Sequence, residues 1–429
     1  MLKKYIVFPL IILLFISSLI IVFIGIQKDT NLIKLLKPYI FIYVFSFFFL
    51  ILISKIQILR HIKLSYAFIF IFFILLIIPM ILTLKDTGKN KIDAIENRTL
   101  NERPKLPKNA LALYKFPNQF MDYIDDNIPF RELGIKFYNT IYLDILNESP
   151  NNKVILGKDG WLFYTGDNDN FVIKDLVGHS LFTMKQLQNI KNNLEVIENY
   201  CQSKDIVFLF VIAPNKESIY PEYLPENIIP SDMKRLSQLD KYLKTHSSID
   251  ILNLTKTLLD NKNNQFLYYK TDTHWNDLGA FYAYEAISKS FNMDPLNIKN
   301  YTFTVNENFS GGLSSGMLHT NKISEKTHIL KSNDIKKSTI REKSNFFKST
   351  QIDNSELPTI VIYGDSFYEG MSQYFEESFK YLNAFTWRKT SEQIITMDID
   401  FLLNSKPNYF IFEMVERNIY LLADMIIKF

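Results

Sequence analysis

Three long apolar runs near the N-terminus constrain this chain more than any other feature. They span Tyr5–Ile26, Pro38–Ser54 and Leu64–Leu84, they are rich in Ile, Leu and Phe, and they carry almost no charge. Each run is about long enough to cross a bilayer as a helix, which takes roughly 20 apolar residues. No small-residue cleavage site follows the first run, so it is not typical of a removed signal peptide. We therefore expect a membrane region at residues 1–85 that contains three transmembrane helices.

The distribution of charge divides the chain at the same place. Nine of the 48 basic residues and one of the 45 acidic residues lie at or before Lys85, so this part carries a net +8 and the remainder a net −5. Basic residues at Lys3, Lys4 and Arg60 give a modest bias that favours a cytoplasmic N-terminus. Three spans then place everything after Leu84 outside the cell. Because that large part is acidic, it lacks the basic footprint of nucleic-acid binding, and we expect no nucleic-acid partner.

Residues 86–150 are expected to connect the membrane region to a folded domain. The stretch Ile95–Pro107 is polar and contains prolines, which favours an extended segment. Phe120–Ile145 has a helical pattern that is broken at Pro129. Val154–Tyr164 then predicts a hairpin with an Asp-Gly pair at its turn.

Beyond Thr183, segments with strand and helix patterns alternate. The predicted strands are Ile206–Ala213, Ile249–Leu254, Thr359–Gly364 and Tyr409–Val415, and the predicted helices are Thr183–Lys204, Ser231–Thr245, Asp277–Phe291, Ser366–Tyr381 and Ser391–Asn404. This alternation predicts an α/β fold for residues 151–429, with a mostly parallel sheet and helices on both faces. Ligands of such sheets bind beyond the carboxyl ends of the strands. Residues 292–354 are rich in Asn, Ser and Lys, and we interpret them as an active-site loop followed by an insertion.

Two short motifs carry the chemistry that can be inferred from the residues alone. Thr271–Asn276 places Asp272 and His274 two positions apart, and Ser366 follows a tight Gly-Asp turn at the end of an apolar strand. A serine at a strand-to-helix turn and an Asp/His pair are what nucleophilic acyl chemistry needs. The alternatives are a serine that only caps a helix, a structural histidine, and a metal site, for which no further ligand stands at a recognisable spacing. The nucleophilic interpretation predicts that His274 reaches Ser366 at the sheet edge and that Asp272 contacts the other imidazole nitrogen.

Taken in this order, the motifs resemble the SGNH-hydrolase-like domain of the alginate O-acetyltransferase family, the AlgJ/AlgX-like proteins, which acetylate exported polysaccharides. The landmarks are Gly157–Phe163, Pro214–Lys216 with Tyr220 and Pro221, Thr271–Trp275, Gly364–Phe367, and Glu413 with Glu416 and Arg417. Common SGNH hydrolases place the serine before the Asp/His pair, so the reversed order here is fairly specific. The three predicted spans and the insertion at 292–354 depart from the family pattern.

The resemblance implies an SGNH-hydrolase-like fold and an O-acetyltransferase with a Ser-His-Asp triad. Ser366 would form an acyl-serine, His274 would act as the base, and Asp272 would support the imidazole. The backbone N–H of Ser366 is a natural oxyanion donor. Further candidates for the oxyanion hole or for substrate binding are Asn215, Tyr368, Tyr374, Trp275, Gly311, Gly312 and Arg417. We expect neither a metal nor a cofactor.

Several of these candidates have a second interpretation. The Gly311-Gly312 run could help to frame a site, but a surface loop is the interpretation that we favour. Three aromatic residues could either stack on sugar rings or pack in the core: Trp161, Trp275 and Tyr363. Glu413 and Arg417 lie beyond the last predicted strand, where they could form an ion pair or contact substrate.

The resemblance also implies partners and a location. Acetyl groups originate in the cytoplasm, whereas Ser366 is expected outside, so the implied acetyl donor is a multi-spanning membrane-bound O-acyltransferase and the acceptor is a polysaccharide. The protein would be a multi-pass membrane protein with an extracellular or periplasmic catalytic domain.

Three classes of function stay open at this point. They are an O-acetyltransferase that acts on an exported polysaccharide or cell-wall glycan, an extracellular carbohydrate acetyl esterase with the same triad, and a non-catalytic glycan-binding or assembly protein. The two enzymes share an acyl-serine and differ in whether sugar or water completes the reaction.

Overall fold

We describe the fold from a computed structural model. It describes residues 98–129, 131–166, 171–263, 265–333, 338–353, 356–390 and 393–429, together with 69, 71–74, 77, 83, 92 and 93 upstream. Of these, residues 101–129 belong to one compact unit, and residues 92–93, 98–100 and 131–429 belong to a second. The predicted spans Tyr5–Ile26, Pro38–Ser54 and Leu64–Leu84 lie almost wholly outside the described residues. Among the residues that are described, no helix has both the length and the apolar character needed to cross a bilayer.

The secondary structure elements are numbered along the chain. The strands are β1 Ile92–Asp93, β2 Arg98–Thr99, β3 Val154–Leu156, β4 Leu162–Tyr164, β5 Val207–Ala213, β6 Ile251–Asn253, β7 Tyr301–Phe309, β8 Glu325–Ser332, β9 Thr339–Lys343, β10 Phe347–Gln351, β11 Thr359–Gly364, β12 Tyr381–Thr386, β13 Thr396–Asp398, β14 Tyr409–Val415 and β15 Ile426–Lys428. The α-helices are α1 Ala110–Asn127, α2 Arg131–Thr140, α3 Phe171–Leu176, α4 Met184–Gln202, α5 Lys216–Ile219, α6 Arg235–His246, α7 Thr255–Asn261, α8 Asp277–Ser290, α9 Ser366–Ser378 and α10 Ile399–Leu402. Short π-helices cover Ile141–Leu146 and Gly312–Met317, and 3₁₀ helices cover Lys158–Gly160, Pro221–Tyr223, Ile298–Asn300 and Glu416–Asp424.

A seven-stranded sheet forms the centre of the second unit, in the order β6-β5-β14-β11-β12-β10-β9. The first five of these strands are parallel to one another. Antiparallel pairing then joins β10 to β12 and β9 to β10. Strands buried on both faces read as continuous apolar runs, and β11 and β14 have this character. The predicted α/β fold with a mostly parallel sheet is confirmed.

The sheet has a separate apolar core on each face, because successive side chains of a strand point to opposite sides. Val211 and Ile362 belong to the core that contains residues of α8 and α9. Phe210 and Val361, one position away in each strand, belong to the core that contains residues of α4 and α6. Helices therefore cover both faces of the sheet, as the alternating pattern predicted.

The predicted hairpin at Val154–Tyr164 and the predicted helix break at Pro129 are both present. β3 pairs antiparallel with β4, and the turn residue Asp159 adopts a positive φ of 52°. α1 ends at Asn127 and α2 begins at Arg131.

Three predicted segments have a different structure. The helix expected to run from Ser366 to Tyr381 ends at Ser378, and the strand β12 follows it. The helix expected at Ser391–Asn404 is wrong: β13 pairs with β15 there, and within the described residues 393–404 only the four-residue α10 is helical. The interpretation of 292–354 as loop and insertion missed four strands, of which β7 and β8 form a ribbon while β9 and β10 extend the central sheet. β12 and β13 pair with strands that are distant in sequence, and local patterns do not reveal such pairing, whereas β9 and β10 form a hairpin that the loop interpretation missed.

Candidate active site

Ser366 lies at the carboxyl end of the central strand β11, on a tight turn into α9. It is the first residue of the helix, and its side chain is exposed. The preceding Asp365 caps the helix, because its Oδ1 accepts a hydrogen bond of 2.9 Å from the N–H of Phe367. Gly364 is required for the turn, since an added Cβ would lie 2.9 Å from Oε2 of Glu413. The sequence therefore presents a serine hydroxyl at the sheet edge where ligands of α/β proteins bind.

His274 and Asp272 reach this serine from the loop that precedes α8. Nε2 of His274 lies 2.8 Å from Oγ of Ser366, and Nδ1 lies 2.6 Å from Oδ1 of Asp272. The N–H of His274 also donates to Oδ1 of Asp272 at 3.1 Å. The His274 side chain is 33% exposed and the Asp272 side chain 17%. The structure thus brings the three predicted residues together in the expected order, with the hydroxyl accessible and the carboxylate shielded.

The Gly311-Gly312 run holds Asp272. The N–H of Gly312 donates to Oδ2 of Asp272 at 2.5 Å, and the N–H of Gly311 donates to Oγ1 of Thr271 at 3.0 Å. A Cβ added to Gly311 would lie 2.6 Å from Cβ of Asp272, which leaves no room for a larger residue. These two N–H groups are candidate oxyanion donors, but each already donates to a side chain of the loop that carries Asp272. The run is therefore neither an oxyanion hole nor an uninvolved surface loop.

The surroundings of Asp272 favour its ionised form. Burial by itself would raise the pKa of this carboxyl, but the hydrogen bond from His274, the charge of that ring and the N–H groups of Gly312 and His274 outweigh it. The net effect holds the pKa of Asp272 well below its ordinary value. Asp272 is therefore an anion throughout the range in which an imidazole titrates, as a residue that orients and supports His274 must be.

Two buried carboxyl groups fix the turn beneath Ser366. Oδ2 of Asp365 accepts from the N–H of Val415 at 2.9 Å, which joins the ends of β11 and β14. Oε2 of Glu413 accepts from the N–H of Asp365 at 2.9 Å, and Glu413 is fully buried. Burial and the neighbouring Asp365 raise the pKa of Glu413 well above its ordinary value. Of the two alternatives for Glu413 and Arg417, the ion pair is not formed, because Glu413 faces the turn.

Arg417 instead lies beside Ser366. A cavity of about 440 Å³ is lined by both residues, together with Tyr164, Phe171, Thr273, Met317, Asp365, Thr386, Trp387, Arg388, Lys389 and Asn418. The Arg417 guanidinium lies 5.2 Å from the centre of the Phe367 ring, and its Nη1 is 3.4 Å from Oδ1 of Asn215. Asn215 is 4% exposed and is not among the lining residues. Of these two candidate binding residues, Arg417 borders the cavity, whereas Asn215 is buried and contacts the Arg417 guanidinium.

The aromatic candidates are core residues. Trp275 donates from Nε1 to the carbonyl of Phe367 at 3.1 Å, and Tyr374 donates from its hydroxyl to the carbonyl of Asp277 at 2.9 Å. The exposed fractions of the five candidate rings are 0% for Trp161, 3% for Trp275, 7% for Tyr363, 3% for Tyr368 and 0% for Tyr374. None of them is open to a sugar ring. Tyr368 and Tyr374 are near Ser366 in sequence, but both lie on the buried face of α9.

Two charged residues contact the loop that carries Asp272: Lys216, which the sequence analysis named only as part of a landmark, and Glu325, which it did not name. Lys216 is 1% exposed and donates to main-chain carbonyls of this loop. Glu325 accepts hydrogen bonds from main-chain N–H groups of the same loop. Lys216 stands three residues after the end of the buried strand β5, which was a visible signal, whereas nothing local marks Glu325. Within the described part of the chain, no group of three His, Cys, Asp or Glu side chains is arranged to hold a metal ion.

The parallel sheet, the serine at its edge and the Asp/His loop define an SGNH hydrolase-like protein. The family model described as "SGNH hydrolase-like domain, acetyltransferase AlgX" matches residues 154–407, more than half of the chain. The chain belongs to this family.

Its relatives are distant. AlgJ of Pseudomonas aeruginosa, named a probable alginate O-acetylase, is 24% identical over 166 residues, which are 39% of this chain and 40% of AlgJ. AlgJ of Pseudomonas fluorescens, with the same name, is 26% identical over 184 residues, 41% of this chain and 42% of AlgJ. The chain therefore spans about two fifths of the length of these curated relatives. Among solved structures, PatB1 of Bacillus cereus has a TM-score of 0.48 and 16% identity, over 63% of this chain and 97% of PatB1.

Proposed function

We propose that this protein is an O-acetyltransferase that moves an acetyl group through an acyl-serine to a hydroxyl of an exported polysaccharide or cell-wall glycan. The observation that carries the proposal is the contact of 2.8 Å between Nε2 of His274 and Oγ of Ser366, with Asp272 on the other imidazole nitrogen. This arrangement is what a serine nucleophile requires, because the hydroxyl is a weak nucleophile until an adjacent base accepts its proton. Membership in the AlgX family supports acetyl as the group that is transferred.

In the first half-reaction, Oγ of Ser366 attacks the carbonyl carbon of the acetyl donor while Nε2 of His274 accepts the hydroxyl proton. The tetrahedral intermediate collapses, the donor's leaving group takes the proton from His274, and acetyl-Ser366 remains. Asp272 keeps Nδ1 of His274 protonated, so that Nε2 is the nitrogen that accepts. The proposed oxyanion donor is the N–H of Ser366, which has no acceptor within α9 because it belongs to the first residue of that helix.

In the second half-reaction, a sugar hydroxyl attacks the acetyl ester while His274 accepts its proton. The acetylated sugar leaves, and the proton returns to Oγ of Ser366. The cavity beside Ser366 would hold the acceptor, with Arg388, Lys389 and Arg417 at its border. Such a border favours hydroxyl and acidic groups over apolar ones.

The proposed setting is the cell envelope. Residues 1–85 would form the membrane region, residues 86–150 a connector, and residues 151–429 the catalytic domain on the extracellular or periplasmic side. The proposed acetyl donor is a multi-spanning membrane-bound O-acyltransferase. An exported acceptor is supported by the alginate acetylation named for the AlgJ relatives.

The same triad in an acetyl esterase is the second candidate. It is favoured by the exposure of Ser366, because water that reaches an acyl-serine hydrolyses it. A non-catalytic glycan-binding protein would not need the contact between His274 and Ser366.

The test uses the full-length protein in detergent with 4-nitrophenyl acetate, with and without glycan oligomers. We expect mass spectrometry to find acetyl on Ser366 and on the glycan in the wild type. Ser366→Ala should abolish both, while its thermal midpoint stays close to that of the wild type, because an exposed hydroxyl at a turn contributes little to stability. Acetyl-Ser366 without glycan acetylation would favour the esterase. Glycan acetylation by Ser366→Ala at the wild-type rate would refute the acyl-serine mechanism.

A further inference from the structure

The main chain that carries Asp272 lies against a buried ammonium group. Lys216 follows β5, and its Nζ donates to the carbonyls of Tyr269 and Lys270 at 3.1 Å each and to the carbonyl of Asp272. An ammonium group has three N–H donors, so these three carbonyls use all of them. The Lys216 side chain is 1% exposed. A charge buried to this extent requires full hydrogen bonding, which here comes entirely from one short segment of loop.

Glu325, at the start of β8, binds the opposite groups of the same segment. Its Oε2 accepts from the N–H of Lys270 at 2.9 Å, and its Oε1 accepts from the N–H of Thr271 at 2.8 Å and from the Thr271 hydroxyl at 2.7 Å. The carboxylate of Glu325 therefore accepts from N–H groups of residues 270–271, while the ammonium of Lys216 donates to carbonyls of the same segment. Two opposite charges hold the loop through its peptide dipoles.

Regular structure supplies few partners for this loop, whose other main-chain bonds include those from the N–H groups of Leu162 to the Lys270 carbonyl and of Leu313 to the Thr271 carbonyl. Between Leu267 and His274 the described backbone has a single isolated bridge, Tyr268 to Trp275, and no strand or helix. Buried peptide groups without partners would each cost about 1–3 kcal/mol. The aromatic rings of Trp161 and Phe163, 5.7 Å and 5.4 Å from Nζ of Lys216, form the wall behind the ammonium.

We propose that Lys216 and Glu325 are positioning residues of the active site, which act through Asp272 by holding its main chain where the carboxylate meets Nδ1 of His274. The proposal rests on the acyl-serine function. It adds a role for the buried ammonium of Lys216, which contacts neither Ser366 nor the cavity beside it. Asp272 joins the two systems, since its carbonyl accepts from Lys216 while its carboxylate accepts from His274.

The charged groups that face Lys216 set its response to pH. Burial lowers the pKa of Lys216 to about 8, against the opposing effect of Glu217, Asp272 and Glu325, while Arg417 lowers it further. The ammonium of Lys270 lies on the same aromatic wall, 5.9 Å from the Trp161 ring. A neutral amine has two N–H donors for three carbonyls, so deprotonation of Lys216 releases one contact of the loop.

The first experiment measures kcat/KM of the full-length protein for 4-nitrophenyl acetate from about pH 6 to about pH 10. We expect a fall in the wild type centred near pH 8. Lys216→Arg stays charged at these pH values, so it should have a lower maximum but lack this alkaline fall. Lys262→Arg is the matched control: Lys262 is partly buried and also donates to a main-chain carbonyl, that of Ile219 at 2.7 Å, but outside the loop. It should keep the wild-type profile.

The second experiment does not depend on activity and stays informative if Lys216→Arg fails to fold. Hydrogen exchange at the amides of Lys270 and Thr271 should be about tenfold faster or more in Glu325→Gln than in the wild type or in Lys262→Arg, because an amide cannot accept all the bonds of the carboxylate. In the same Glu325→Gln variant, kcat should fall about 10- to 100-fold with little change in KM. A wild-type profile that is flat above about pH 7.5, or exchange and kcat unchanged in Glu325→Gln, would overturn the proposal.

Failure of the acyl-serine function has a different signature. In that case, ester hydrolysis by the wild type is independent of Ser366, yet faster amide exchange in Glu325→Gln still reports that the two charges hold the loop.

Discussion

Replacing Gly311 with Ala tests whether the glycine run positions Asp272. The backbone of Gly311 has a φ of −79°, which any residue adopts, so the effect of Ala is one of space alone. The new Cβ would lie 2.6 Å from Cβ of Asp272 and 2.7 Å from the carbonyl oxygen of Thr271. Carbon atoms in contact are normally about 3.5–4.0 Å apart, so the two segments must separate by roughly 1 Å. The Thr271 contact is with main chain and cannot be relieved by a change of rotamer.

A shift of this size disturbs the hydrogen bond between Asp272 and His274. Misplacement of a catalytic group by about 1 Å can lower the rate about 100-fold, which corresponds to about 2.7 kcal/mol in the activation free energy. Forcing one methyl group into a packed site lowers the free energy of unfolding by about 1–3 kcal/mol. We therefore expect Gly311→Ala to lose about two orders of magnitude in kcat, with a modest loss of stability.

The assay is 4-nitrophenyl acetate hydrolysis with urea unfolding in parallel, and Gly316→Ala is the control. Gly316 lies in the same short helix segment, and nothing stands within 4 Å of its added Cβ. Gly316→Ala should keep wild-type activity and should be equally or slightly more stable, because Ala is the better helix former. Activity of Gly311→Ala within about twofold of Gly316→Ala would refute the reasoning, since about twofold is only 0.4 kcal/mol.

Two further predictions concern the carboxyl groups of the site. Asp272→Asn should lower kcat by about 10⁴-fold but leave it above the kcat of Ser366→Ala, because the imidazole remains while its orientation and support are lost. A steady-state assay of both variants in one detergent checks this order, and equal rates would contradict it. Glu413→Gln tests how the stability depends on pH. The folded state raises the pKa of Glu413, so the neutral carboxyl stabilises the folded protein at a pH below the unfolded-state pKa. This stabilisation is lost as the pH rises through the folded-state pKa. The wild type should therefore lose more free energy of unfolding than Glu413→Gln between about pH 5 and about pH 9, as measured by urea titration, and parallel curves would show that Glu413 does not titrate in this way.

Local patterns in the sequence determined a large part of the fold. The strands β5 and β14 were visible as short apolar runs, and α4 as a long amphipathic helix, because their hydrophobic periodicity reports burial directly. The hairpin of β3 and β4 followed from its Asp-Gly turn. Local motifs also pointed to Ser366, Asp272 and His274, since a serine directly after a strand and turn, and an Asp-x-His pair, can each be recognised within a few residues of sequence.

Only the tertiary structure decided which segments pair across long distances. The predicted helix extends to Tyr381, the first residue of β12, and a second predicted helix includes β13, because a short segment becomes a strand only when a partner such as β11 or β15 lies beside it. Within 292–354, β7 carries a local signal that the loop interpretation missed, because Tyr301, Phe303 and Val305 alternate with polar residues at the period of a strand.

The tertiary structure also decided which residues support the site and which belong to the core. Tyr374 follows Ser366 closely in sequence, but the rotation of α9 turns it into the apolar core. Lys216 and Glu325 are 109 positions apart in the chain, yet they bind the same two peptide units beside Asp272. The sequence by itself pointed to the candidate reactive residues, because their chemistry is local, whereas the buried charges beside them are brought together only by the folded chain.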